Sequence, residues 1–309
     1  LYTLTEKAEN GLQFIEIGNS QNASKATLCL NQGGRLSGLE FDGIKVLADF
    51  HPSTYGKSYA SSILFPFANR IKDGKYTFDG TDYILNCNEI DKNNALHGMV
   101  YDKMFDLVDQ ELTSDAGEIT LQFTHNGTNK GFPFQFQIQL IYKLTRDEFS
   151  LATEIINLDT KPFPFVLGWH PYFVSKNLEE SHLNFESKTQ FLHDEQQIIS
   201  GTIPFDMDMP YQLKDVKLDD GYILESNKVE FLTPEYRLEI SSTSKENYLQ
   251  LYTPDTPNVI AIEPMTGANN SFNNKIGLQI LSPDKHYHVK WTIAFENRKT
   301  KIKTNQLIT

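Results

Sequence analysis

The chain is predicted to be all-β, a large antiparallel sandwich, and three observations predict it. Apolar and polar residues alternate at period two in segment after segment, the pattern of a strand with one buried face. No stretch carries apolar residues at i, i+3, i+4 and i+7 over three turns, so helices are short or absent. Gly, Asn, Asp and Pro separate the alternating segments, as turns require.

The elements follow in chain order. Alternation is clear over residues 12–17 and 35–41, then over 75–85, read as one extended run, and over 119–124. The strongest signal is 134–144, where Phe134, Phe136, Ile138, Leu140, Tyr142 and Leu144 alternate with Gln135, Gln137, Gln139, Ile141 and Lys143. A polar break at 145–148 and a resumed extended pattern over 149–158 complete a hairpin. Residues 236–241 and 248–252 repeat the signal. In the last strand Tyr287, Val289, Trp291, Ile293 and Phe295 face one way and His286, His288, Lys290, Thr292 and Ala294 the other. Roughly fifteen or more strands are too many for one small barrel. No 40–50-residue signature repeats, which counts against a propeller.

The 309 residues would suggest two domains by length alone, but large all-β units exceed that guide and no composition break marks a linker. A single domain over 1–309 is expected. With 28 basic and 40 acidic residues the net charge is −12, which repels phosphate backbones and anionic bilayers. Nucleic acid and membrane surfaces are therefore not expected partners. Cys29 and Cys87 are the only cysteines and read as reduced thiols. No apolar stretch approaches the ~20 residues that span a bilayer. The expectation is a soluble cytoplasmic protein; because the sequence starts at Leu1 without methionine, secretion or a periplasmic location stays open. No oligomeric state is assigned.

Two ionisable residues each close an apolar run and precede proline: His170 in Phe165-Val166-Leu167-Gly168-Trp169-His170-Pro171, and Glu263 in Val259-Ile260-Ala261-Ile262-Glu263-Pro264. A residue before proline is driven to extended geometry, so each is expected at the mouth of a buried strand. Glu263 after such a run has either a function or a buried ion-pair partner. His170 is flanked by Trp169, Tyr172 and Phe173, aromatic surfaces that suit the C–H faces of a sugar. Arg70, after Phe65-Pro66-Phe67-Ala68-Asn69, is a solvated charge or a donor fork for vicinal hydroxyls. His97, in Ala95-Leu96-His97-Gly98, is a loop histidine on local grounds, and Leu218-Asp219-Asp220-Gly221 reads locally as a turn. His286-x-His288 is read without a completing set of cysteine or carboxylate ligands, so both are expected to face solvent and no metal site is expected. P-loop, dinucleotide and Gly-x-Ser-x-Gly motifs are absent.

The four segments around Arg70, His97, His170 and Glu263, in that order in an all-β chain of this size, resemble the aldose 1-epimerase (galactose mutarotase) family. The resemblance runs from Gly33-Gly34-Arg35-Leu36 through Gly131-Phe132-Pro133-Phe134 to the closing strands, and is to the broader branch, since Met99 follows His97-Gly98 and Glu263 lies in Glu-Pro-Met-Thr-Gly. It implies a β-supersandwich, Glu263 as general base, His170 as general acid, His97 as second active-site histidine, Arg70 with Asn69 gripping a monosaccharide, and Asp219, or else Asp220, binding it. Ring opening then needs one base and one acid, on opposite sides of the ring, and no cofactor. A carboxylate, Asp219, is expected to raise the pKa of His170. Alternatives are a catalytically silent carbohydrate-binding protein and a hexose-6-phosphate epimerase using Arg70 and Lys72 for the phosphate.

Overall fold

The computed structural model describes residues 1–50 and 55–298; residues 51–54 and the end of the expected 1–309 unit, 299–309, lie outside the described residues. The first five strands, β1 (Thr3–Glu9), β2 (Leu12–Asn19), β3 (Ser24–Cys29), β4 (Arg35–Phe41) and β5 (Ile44–Lys45), form a sheet in sequence order. Short strands follow: β6 (Ile63–Leu64), β7 (Arg70–Lys72), β8 (Lys75–Phe78), β9 (Thr81–Ile84) and β10 (Asn94–Leu96). Next come β11 (Asp106–Leu112), β12 (Gly117–Asn126), β13 (Gln135–Leu144), β14 (Glu148–Asn157), β15 (Phe163–Phe165), β16 (Gly168–Trp169), β17 (Tyr172–Val174), β18 (His182–His193), β19 (Ile199–Pro204) and β20 (Tyr211–Gln212). The chain closes with β21 (Asp219–Leu232), β22 (Tyr236–Ser242), β23 (Tyr248–Tyr252), β24 (Val259–Met265), β25 (Gln279–Leu281) and β26 (His286–Asn297). Among the described residues the α-helices are two four-residue turns, and no helix is long and apolar enough to cross a membrane.

A 15-stranded antiparallel sheet dominates, its main path running β11-β12-β13-β14-β26-β22-β21-β23-β24-β16-β6. Period two explains its long members. Phe136, Ile138, Leu140, Tyr142 and Leu144 of β13 turn inward, and Val289, Trp291 and Ile293 of β26 do the same. They share one buried cluster with Ile17, Ala26, Leu28 and Leu39 of the N-terminal sheet, so the two sheets pack as layers of a sandwich. Both cysteines are free thiols, and burial pushes the Cys29 thiol up to about 11.

The run 75–85 is not one strand. Asp79 and Gly80, with φ of 48° and 72°, make a two-residue turn that folds it into the β8–β9 hairpin, with Phe78 paired to Thr81. Both central residues need positive φ, which the Asp-Gly pair accommodates.

Glu263 is also not at a strand end, for β24 carries on through Pro264 to Met265. Ile262 donates its N–H to the Pro171 carbonyl at 3.2 Å and Thr266 donates to Leu167 at 2.8 Å. Pro264, midway between them, points its nitrogen to the same side of β24, where it has no N–H to give. Along that side β17 pairs with Val259–Ala261 and β16 with Met265, and His170-Pro171 is the interruption between β16 and β17. The two X-Pro pairs therefore face each other across one break in the ladder, which is how a proline survives inside a sheet.

Candidate active site

This break brings the two pre-proline side chains together. His170 Nε2 lies 3.5 Å from Glu263 Oε1, and both residues are buried, at 5% and 2% exposure. The His170 backbone is clamped to the segment before β6, donating to Ser62 at 3.1 Å and accepting from Ser61 at 2.8 Å. Its ring stacks on Tyr172 at 4.9 Å and 18°, and the Tyr172 hydroxyl donates to the Ser58 carbonyl. His97 meets His170 edge-on at 5.1 Å, and Tyr59 meets His97 at 4.8 Å.

His97 and Arg70 are held by the pairing of β10 with β7. The His97 N–H donates to the Asn69 carbonyl at 2.8 Å, and both residues sit in the left-handed region, with φ of 62° and 58°. Gly98 follows because nothing else fits: a Cβ there would lie 2.2 Å from the Phe65 carbonyl oxygen. Arg70 presents its fork to Glu89, with Nε 2.8 Å and Nη2 2.8 Å from separate carboxylate oxygens, while Nη1 donates to Asn69 Oδ1 at 3.0 Å. Asn94 also donates to Glu89. Burial would raise the Glu89 carboxyl, but these hydrogen bonds outweigh it and hold it below the usual range.

Asp219 and Asp220 point to opposite faces of β21. Register places Gly221, Gln250 and Glu263 in one row and Asp219, Tyr252, Ala261 and Tyr172 in the next, so Asp219 shares the face of Glu263. Gln250 donates to Asp219 at 2.9 Å, whereas Asp220 accepts from Gln190 at 2.7 Å on the other face.

Burial sets the protonation of the central pair. It pushes Glu263 well above the usual carboxyl range; the Asp219 charge adds to this and Arg70 opposes it. It also pulls His170 down to about 3 and His97 well below the usual imidazole value, the latter helped by His170 and Arg70. The expected upward shift of His170 by Asp219 is thus reversed. Desolvation of the His170 ring, packed between Tyr172 and His97, decides the direction. Nor do acid and base stand on opposite sides of a ring-sized gap, since 3.5 Å separates them.

Sequence reasoning missed Glu89, Gln250 and His193. Glu89 lies in a polar loop with no periodic signal. Gln250 was visible as the polar centre of Tyr248-x-Gln250-x-Tyr252, an aromatic strand face. His193 ends β18 within the fields of Asp219 and Arg70. Lys72, considered for a phosphate, is paired with Asp194 at 3.3 Å. Away from the cleft, His286 and His288 do have a carboxylate beside them, Glu154 of β14, which strand pairing supplies and linear order hides.

A sequence model described as aldose 1-epimerase matches residues 13–294. The chain is 25% identical over 274 residues to the uncharacterized protein YihR of Escherichia coli, covering 84% of this chain and 87% of that one. Its fold is similar to a galactose mutarotase-like protein from Clostridium acetobutylicum, with a TM-score of 0.86, 18% identity and coverage of 96% and 99% of the two chains. It is also similar to galactose 1-epimerase from Lactobacillus acidophilus, with a TM-score of 0.79, 17% identity and the same coverage. With the supersandwich and the match over nearly its whole length, the chain belongs to the aldose 1-epimerase family.

Proposed function

We propose that the protein is an aldose 1-epimerase, an isomerase that interconverts the α and β anomers of a free hexose by acid/base ring opening at Glu263 and His170. The observation that carries this reading is the 3.5 Å approach of a buried imidazole and a buried carboxyl group. Opening a hemiacetal removes the proton from the anomeric hydroxyl and adds one to the ring oxygen. Both oxygens are bonded to the same carbon, so adjacent groups can serve them together. Since burial penalises each lone charge, the pair holds a single proton as a neutral unit over a wide pH range. Moving that proton from Glu263 to His170 generates the productive tautomer without changing the proton count. Glu263 then takes the hydroxyl proton, the bond from the anomeric carbon to the ring oxygen breaks, and His170 protonates that oxygen. Rotation of the free aldehyde and the reverse steps give the other anomer. Each group contributes about 10²- to 10⁴-fold.

Arg70, fixed by Glu89, and Asn69 bind sugar hydroxyls, Asp219 does so from the opposite strand, and His97 borders the pair. The engagement of Arg70 by Glu89 and of Lys72 by Asp194 favours a neutral sugar over a hexose 6-phosphate. The test is polarimetry of freshly dissolved α-glucose and α-galactose, with Glu263→Ala as control. Faster decay of optical rotation with wild type alone is expected. Sugar binding without acceleration would leave a silent binder instead, and preference for the phosphorylated sugar would overturn the free-hexose assignment.

A further inference from the structure

The two histidines outside the cleft converge on a third ligand. β26 opens with His286-Tyr287-His288, so period two puts both imidazoles on its outer face while Tyr287 turns under the sheet to meet Phe165 at 4.9 Å. β14 pairs with β26 so that Glu154 stands directly opposite His288. Glu154 Oε1 lies 2.6 Å from His286 Nδ1 and 3.4 Å from His288 Nε2, and the three ligand atoms all lie within 4.8 Å of one another.

We propose that Glu154, His286 and His288 form a surface site for a divalent ion of the zinc class, with water completing its coordination. Two imidazole nitrogens and one carboxylate oxygen are a donor set suited to zinc and its borderline neighbours, and poor for calcium or magnesium, which take oxygen ligands. A tetrahedral ion with ligands at about 2.1 Å needs them about 3.4 Å apart. The His288–Glu154 distance already meets this; His286 must withdraw from its hydrogen bond to Glu154 by less than an ångström, and its ring nitrogen, within 4.8 Å of that of His288, must settle at the same spacing from it, adjustments open to half-exposed side chains. A simple ion pair would engage one histidine; here both approach the same oxygen. Lys290 on the same strand face and Lys245 beside His288 oppose a cation, and Glu246 next to Lys245 offsets one of them. β22, β21 and β23 separate this site from β24, so it is independent of the cleft.

The test uses untagged, chelator-treated full-length protein titrated with zinc chloride calorimetrically and with cobalt(II) by visible absorption. One equivalent should bind, with His286→Ala, His288→Ala and Glu154→Gln each weakening it at least about tenfold. Unchanged far-ultraviolet circular dichroism in the variants separates ligand loss from unfolding. Absence of binding to wild type would overturn the proposal. So would wild-type binding by His288→Ala, because the ion would then sit elsewhere, at the cleft histidines.

Discussion

The ladder β12-β13-β14-β26 and the junction of β16, β17 and β24 belong to the same sheet but solve opposite problems. In the ladder, ten consecutive residue pairs join β12 to β13 and nine join β13 to β14, with no break in register. No positive-φ residue lies within these four strands. At the junction two prolines open the ladder, left-handed Asn69 and His97 approach, and an acid and a base lie buried side by side. Backbone regularity stabilises the first region; the second gives some of it up to hold titratable groups out of water. The difference predicts that substitutions in the two regions should separate stability from activity.

The largest effect tests the junction. Glu263→Gln should lower kcat by about 10²- to 10⁴-fold in polarimetry. The same change should raise the thermal midpoint at neutral pH. Because Glu263 has its folded-state pKa raised, its burial costs more as pH rises from the unfolded carboxyl value through the folded one, and a neutral amide removes that cost. Equal activity, or a lower midpoint, would break the contrast. Leu140→Ala in the ladder should do the reverse, losing about 2–5 kcal/mol in denaturant unfolding while the folded enzyme keeps its kcat.

Glu89→Gln sharpens the comparison, because Glu89 lies in neither the ladder nor the proton path. Losing the charged partner of Arg70 should raise KM on the order of tenfold to a hundredfold, the worth of a charge-assisted hydrogen bond, with kcat little changed. A fall in kcat with KM constant would instead place Arg70 on the reacting atoms.

How far each region was legible in the sequence follows from the same contrast. β13 and β26 were plain because burying one face of a strand imposes period two, and nothing interrupts them. The run 75–85 misled because Asp79-Gly80 continues an alternating pattern across a turn. His170 and Glu263 were legible through their prolines, yet that the prolines meet is a fact of the pairing of β24 with β16 and β17. Glu89 and Glu154 were invisible as partners, since their roles arise from chain crossings between segments remote in sequence. The protonation of His170 was misjudged because depth of burial, which decides it, is a property of the packed sandwich.

The smallest effect concerns the two adjacent aspartates. If the central pair works as a one-proton unit, kcat/KM should show no fall near pH 6.5 on its acid side, because His170 gains a second proton for the pair only near about pH 3. Activity should be lost on the alkaline side, as pH rises through the raised value of Glu263 and the pair gives up its only proton. Asp219 shares that face and its charge helps hold the proton on Glu263, so Asp219→Asn should move the alkaline limb to lower pH. Asp220→Asn, on the opposite face beside Gln190, should leave the limb in place. Movement with Asp220→Asn and none with Asp219→Asn would mean that the faces of β21 are reversed in solution, and with them the wall of the cleft opposite His170.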